Sequence, residues 1–138
     1  MKAYLADTNC LLSYVTDRSP GQQEAIGLYI AAAANMDQSL YIPSQVVTEF
    51  VYVLRNEYDK DDPFIAEMLT ALFDTPGIEY CHSYQIDDVL RLWPSSIRDY
   101  GDAVVAAAAI GMKIPVLTFD RKFAAQLQRS GIERELLQ

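Results

Sequence analysis

Ala3-Tyr4-Leu5-Ala6-Asp7-Thr8-Asn9 is the stretch from which the fold follows. Four apolar residues end abruptly on an acid and are followed by two helix-capping residue types. That is a short buried strand running into a helix, with a carboxylate at the junction. The same unit recurs outward from it. Asn9 to Val15 opens a helix capped by Thr8 or Asn9, and Arg18 to Gly21 forms a Pro/Gly turn. An Ala-rich helix over Gln22 to Met36 carries Ile26, Tyr29 and Ile30 on one face. Leu40-Tyr41-Ile42 is a second strand, stopped by Pro43. Ser44 then caps a helix to about Tyr58 with the stripe Val46, Val47, Phe50, Val51 and Leu54.

Beyond it, Asp62-Pro63 restarts the chain as a helix through Leu72, with Asp62 as cap. Ile78 to Cys81 is a third strand, and Gln85 to Leu92 a helix that ends before Pro94. Asp99 to Ile110 is an Ala-rich helix closed by Gly111. Val116 to Phe119 is a fourth strand, Arg121 to Gln128 a last helix, and Ile132 to Gln138 suits either an edge strand or a helical tail. Short strands alternating with longer helices mean βαβ units: an α/β fold, with a short, mostly parallel sheet of four to five strands and helices on both faces. With no repeat, low-complexity run or linker, residues 1–138 read as one domain. A chain of 138 residues is long enough to bury a real core without disulfides.

Charge narrows the function classes. Eleven Lys and Arg stand against 19 Asp and Glu, a net of −8, which argues against loose binding to nucleic acid or anionic membrane through a broad basic surface. The acid at Asp7 arrives too soon for a signal peptide, and no apolar run is long enough to span a membrane. Cys10 and Cys81 lack metal-ligand spacing and read as reduced thiols of a cytoplasmic protein. One histidine, His82, rules out a His-rich metal cage and reads as structural or exposed.

Four acids need explaining together: Asp7, Glu49, Asp102 and Asp120. Asp7 and Asp120 each follow a strand, where ligands bind in open parallel sheets. Asp102 lies in a first helical turn, which favours a carboxylate, and Asp99 is its cap or a further supporting acid. Glu49, at about 100° per residue, falls just outside the apolar edge of its helix. Singly, each reads as a turn, cap or solvated residue. Jointly, and with Asp7-Thr8-Asn9, the run Asp102 to Ala107 and Thr118-x-Asp120-x-x-Phe123 in this order, the chain resembles the PIN-domain nucleases, in particular the small VapC-type toxins of toxin–antitoxin pairs. The resemblance spans essentially the whole chain. It implies a PIN-like three-layer α/β/α fold with the acids gathered at the C-terminal edge of the sheet. It further implies RNA as substrate, a small antitoxin partner, a homodimer, and supporting roles for Thr8, Asn9 and Thr118.

The chemistry agrees with the residue types. Crowded carboxylates repel and hold protons unless a cation joins them. An all-oxygen anionic site suits one or two Mg²⁺ or Mn²⁺ ions, not Zn²⁺. Asp7, Glu49 and Asp102 are the expected ligands, direct or through water, and Asp120 completes the site or holds a water. Arg18, Arg55, Arg121 and Lys122 are the nearest basic residues in sequence and candidates to hold a phosphate. The helices Gln22 to Met36 and Asp62 to Leu72 are candidate partner surfaces. A receiver domain needs paired acids after the first strand and a mid-chain acceptor, and an Asp-dependent phosphatase needs an acid at position 9, where Asn9 stands. A binding module that keeps the fold but not the activity is the rival from another class. Taking the four acids into a metal site leaves −4 for the remaining surface.

Overall fold

All of the apolar runs pair into one sheet, in which every strand is parallel to its neighbours. The computed structural model describes residues 1–82 and 84–138. The strands are β1 (Lys2–Ala6), β2 (Gln38–Pro43), β3 (Ile78–Cys81), β4 (Val116–Thr118) and β5 (Arg134–Leu136). Between them run the helices α1 (Thr8–Val15), α2 (Pro20–Ala34), α3 (Ser44–Asn56), α4 (Asp62–Asp74), α5 (Ile86–Leu92), α6 (Tyr100–Met112) and α7 (Arg121–Arg129). Parallel neighbours require a crossover, and each is supplied by at least one helix. The helices cover both faces in a three-layer α/β/α arrangement.

Strand order is β3-β2-β1-β4-β5. The chain builds outward from β1 through β2 to β3, then returns to the other side of β1 for β4. The order therefore reverses between β1 and β4, and the connections leaving those two strands diverge to open a crevice at their carboxyl ends. This order also differs from the 2-1-3-4-5 order of receiver-type folds, which removes that alternative. The C-terminal segment is the edge strand β5, parallel to β4.

Tyr4, Leu5 and Ala6 are buried in succession, as a strand covered on both faces requires. Leu40 and Ile42 from β2 and Leu117 from β4 are fully buried with them, as are Val46, Phe50 and Leu54 from α3. Ala103 to Ala109 of α6 are all buried: their small side chains let this helix lie close against α3, α5 and β4. Tyr4 meets Tyr29 of α2 edge to face, with centroids 5.3 Å apart.

Several helix ends differ from the sequence expectation. Asp7, not Thr8 or Asn9, caps α1: its backbone is extended and its Oδ1 accepts the Cys10 amide at 3.0 Å. Ser19 caps α2, so that helix starts at Pro20, whose ring pre-sets the first helical turn, and not at Gln22. Ser44 is already helical; Pro43 holds the cap position without a side-chain bond. Asp61 rather than Asp62 caps α4, accepting the Phe64 amide. Gly111 lies inside α6, which Lys113 ends in the left-handed conformation at φ 57°. The turn into β3 needs Gly77, whose φ is 81° and whose carbonyl accepts the Leu40 amide at 2.8 Å. A Cβ there would lie 2.2 Å from the Ala33 carbonyl oxygen.

Candidate active site

Asp7 extends β1 into the crevice at the β1/β4 switch and is 4% exposed. Its capping role fixes Oδ1, and the nearby Thr118 hydroxyl favours its charged form. Burial nevertheless raises its pKa above the usual carboxylate range, with a smaller contribution from Asp120. Thr118 is fully buried at the end of β4, and its Oγ1 accepts the Asp120 amide at 3.0 Å. Asp120 in turn caps α7: one oxygen, Oδ1, accepts the Lys122 and Phe123 amides at 2.8 and 3.1 Å.

Asp102, half-buried in the first turn of α6, marks where these elements meet. Its pKa is pushed up to about 8, first by burial, then by the negative charges of Asp99, Asp7, Asp120 and Glu49. Among the described residues its carboxylate has no hydrogen-bond or salt-bridge partner. Glu49 comes from α3 and is itself exposed, but the buried Thr8 donates its hydroxyl to Glu49 Oε2 at 2.9 Å. Asp99 caps α6 by accepting the Asp102 amide at 3.0 Å. Asp7, Glu49, Asp99 and Asp120, from separate elements, thus all act on the carboxylate of Asp102. Among the described residues no group of three potential ligands already converges on a single point; the acids ring a crevice.

The sequence matches the PIN domain over residues 4–126. The chain belongs to the PIN domain family. No curated protein sequence matches it. Among solved structures, a chain of the VapBC2 complex of Rickettsia felis, determined bound to a DNA fragment from its promoter, is similar at 17% identity. That match covers 99% of each chain with a TM-score of 0.70. VapC20 of Mycobacterium tuberculosis, described as a sarcin-ricin loop cleaving toxin, is 14% identical over 94% of this chain and 95% of its own, with a TM-score of 0.65. VapBC-1 of nontypeable Haemophilus influenzae is 12% identical over 97% of each chain, with a TM-score of 0.62. At such identities these likenesses establish the fold.

In this PIN domain the predicted basic residues scatter. Arg18 spends its guanidinium on Ser13 and on the carbonyl and side-chain oxygens of Asn9, so Asn9 serves Arg18 and not the acids. Arg55 lies six residues beyond Glu49, about 9 Å along α3, and pairs with Asp62 at 2.9 Å. It ties α3 to α4. Arg121 and Lys122 are exposed at the start of α7, beside Asp120. His82 is exposed and stacks on Tyr80 at the far edge of the sheet. The apolar residues of α4 turn inward, and among the described residues that helix carries no large exposed hydrophobic, unlike α2 with Leu28 and α5 with Ile86 and Leu90. No helix is long and apolar enough to cross a membrane among the described residues.

Two residues of the site escaped the sequence reading. A Cβ on Gly101 would sit 3.2 Å from Asp99 Oδ2, 3.5 Å from Glu49 Oε2 and 3.7 Å from Gln45 Nε2. Gly101 therefore leaves room for the carboxylates, and Gln45, one turn before Glu49, shares its face. A glycine in the first turn of a helix, where propensity disfavours it, was the available signal.

The raised carboxyl pKa values carry a pH prediction. Unfolded, Asp102 titrates near 3.8; folded, near 8. Between those values the folded state binds more protons, so without divalent cation stability falls as pH rises through this window and levels off above it. Tm measured in chelator from pH 4.5 to 8.5 should therefore decline more steeply in the wild type than in Asp102→Asn. Parallel slopes would remove Asp102 as the source.

Proposed function

We propose that this PIN domain is a divalent-cation-dependent endoribonuclease hydrolysing RNA phosphodiester bonds, the toxin of a toxin–antitoxin pair, held by a small antitoxin and working as a homodimer. One observation carries the reading: four acids act on the carboxylate of Asp102 at the switch point, and among the described residues none of the five forms a salt bridge. A crowded cluster of this kind around the buried Asp7 and half-buried Asp102 favours protons or a cation. Its donors are all oxygen, as Mg²⁺ or Mn²⁺ prefers. Asp7, Asp102 and Glu49 would hold one or two ions, with Asp120 closing the far side. Because Mg²⁺ retains waters, a ring of acids suits it without a closed protein cage. When bound, such an ion polarises a phosphate oxygen and makes water more acidic.

The protein's part is positioning. The Cys10 amide fixes the Asp7 carboxylate, and the Thr8 hydroxyl fixes Glu49. The α7 amides take one oxygen of Asp120. RNA as substrate and an antitoxin as partner are supported by the structural likeness to VapC20 and to the VapBC complexes. The test is incubation of cellular RNA with purified protein, freed of any co-purifying partner, in Mg²⁺, Mn²⁺ or chelator. Intact RNA in all three would leave a binding module as the reading. Thr8→Val keeps the shape and removes the bond to Glu49. It is expected to lower cleavage about 10- to 100-fold, as loss of an outer-sphere partner does, with little change in Tm. A Thr8→Val enzyme as active as wild type would separate Glu49 from the site.

A further inference from the structure

Between α5 and α6 the chain presents two exposed aromatic residues beside the acids. Trp93 is 36% and Tyr100 40% exposed, packed edge to face with centroids 5.2 Å apart. Trp93 Nε1 donates to the Arg98 carbonyl at 3.1 Å, and Ile97 is fully buried as the anchor of the loop. The indole donor is thus satisfied internally, and the exposed part of the ring is apolar. From the same loop, Arg98 joins Lys122, Ala125, Gln126 and Arg129 in lining a groove of about 460 Å³, within the range of ligand-holding clefts. The four α7 residues recur at helical spacing and form one face. No acid lines this groove, and none of its three cations is paired with a carboxylate among the described residues. In a chain of net charge −8, such a cluster is a local exception.

Groove and acids share their framework. Arg98 directly precedes Asp99, and the Lys122 amide bonds Asp120. We propose that this loop and the face of α7 form the track for single-stranded RNA leading to the acids, with an unpaired base stacked on the Trp93–Tyr100 pair and backbone phosphates in the Arg98–Lys122–Arg129 groove. The inference rests on the nuclease reading above. Bases stack on aromatic faces regardless of sequence, and spaced cations follow a backbone. An acidic peptide would use the cations but has no need of the indole face.

The test measures binding of a labelled single-stranded decauridylate to the full-length Asp102→Asn protein in chelator, so that cleavage plays no part. Trp93 is the single tryptophan, and its fluorescence should be quenched by the RNA. Trp93→Ala should bind about 5- to 100-fold more weakly, with Trp93→Phe recovering most of the loss. Arg98→Ala/Arg129→Ala should bind more weakly and lower the slope of log K against log salt by about 1.4, two phosphate contacts' worth. Circular dichroism confirms the fold of each variant; should Trp93→Ala fail to fold, quenching in the parent protein still decides. An absent quench, or an unchanged affinity and salt slope in the double variant, overturns the track. So does a polyglutamate peptide that binds the groove as tightly as the RNA. A wild-type protein that cleaves nothing yet binds decauridylate through these residues would overturn the nuclease reading and uphold the track; cleavage with unaltered binding in the variants would do the reverse.

Discussion

Asp102→Asn is expected to abolish divalent-cation-dependent RNA cleavage while raising the melting temperature of the metal-free protein. Both effects have one cause. Asp102 is the carboxylate on which Asp99, Asp7, Asp120 and Glu49 all act, and its pKa of about 8 records the cost of ionising it there. The amide has the same shape and no charge, so folding no longer carries that cost, while a cation loses the ligand around which the others gather. The loss should exceed the roughly 10- to 100-fold typical of outer-sphere partners. Asp7→Asn should behave alike in cleavage. Its amide oxygen can still accept the Cys10 amide and cap α1, because Asn caps as well as Asp. Asp7→Ala would lose cap and charge together, about 1 kcal/mol for the cap alone. Cleavage assays and thermal melts on the two Asn variants check this; wild-type rates in Asp102→Asn would end the proposal that the acids hold the catalytic ion.

Gly77→Ala is expected to be the most damaging small substitution in the fold. Gly77 sits at φ 81° in the turn that leads into β3, packed on the end of α2. A methyl group there meets the Ala33 carbonyl oxygen at 2.2 Å and its carbon at 2.8 Å. These are backbone atoms, so relief requires α2 or the turn to move. Left-handed backbone costs about 1–2 kcal/mol for a residue with a Cβ, and overpacking adds about 1–3 kcal/mol. Against a total stability of about 5–15 kcal/mol, Tm should fall by roughly 10 °C or more. Gly131→Ala is the control: φ is 74°, but nothing lies within 4 Å of the added methyl. It should show the conformational cost alone. Equal losses in the two variants would mean that the clash with Ala33 is relieved at no cost.

Much of this was legible in the residues. The apolar runs before Asp7, Pro43 and Asp120 mark β1, β2 and β4, because a strand covered on both faces is predominantly apolar. The helix caps were less legible. Asp61 and Asp62 are adjacent and chemically equivalent, and only the backbone geometry selects Asp61. Asp7 caps α1 although Thr8 and Asn9 were equally suited, because the strand delivers it to the helix end in extended conformation. The four acids of the site were identifiable from strand-end position, helix turn and family pattern. The pairing of Arg55 with Asp62 was not legible, because sequence proximity to Glu49 says nothing about a carboxylate across the α3–α4 turn.

The sequence by itself determined that the chain alternates strands and helices, that it carries an acid at two strand ends, and that its acids outnumber its bases. Those properties are local: they follow from residue type, spacing and the preferences of single segments. Only the tertiary structure decided that the order reverses between β1 and β4, so that Asp7 and Asp120 face one crevice. It alone brought Thr8 within 2.9 Å of Glu49 and placed Arg98 beside Lys122 and Arg129. These pairs are separated by 41 residues in the first case and by an intervening helix and strand in the second. Such juxtapositions arise from how the sheet is wound, because topology, not spacing along the chain, sets which charges share a low-dielectric site and act on one another.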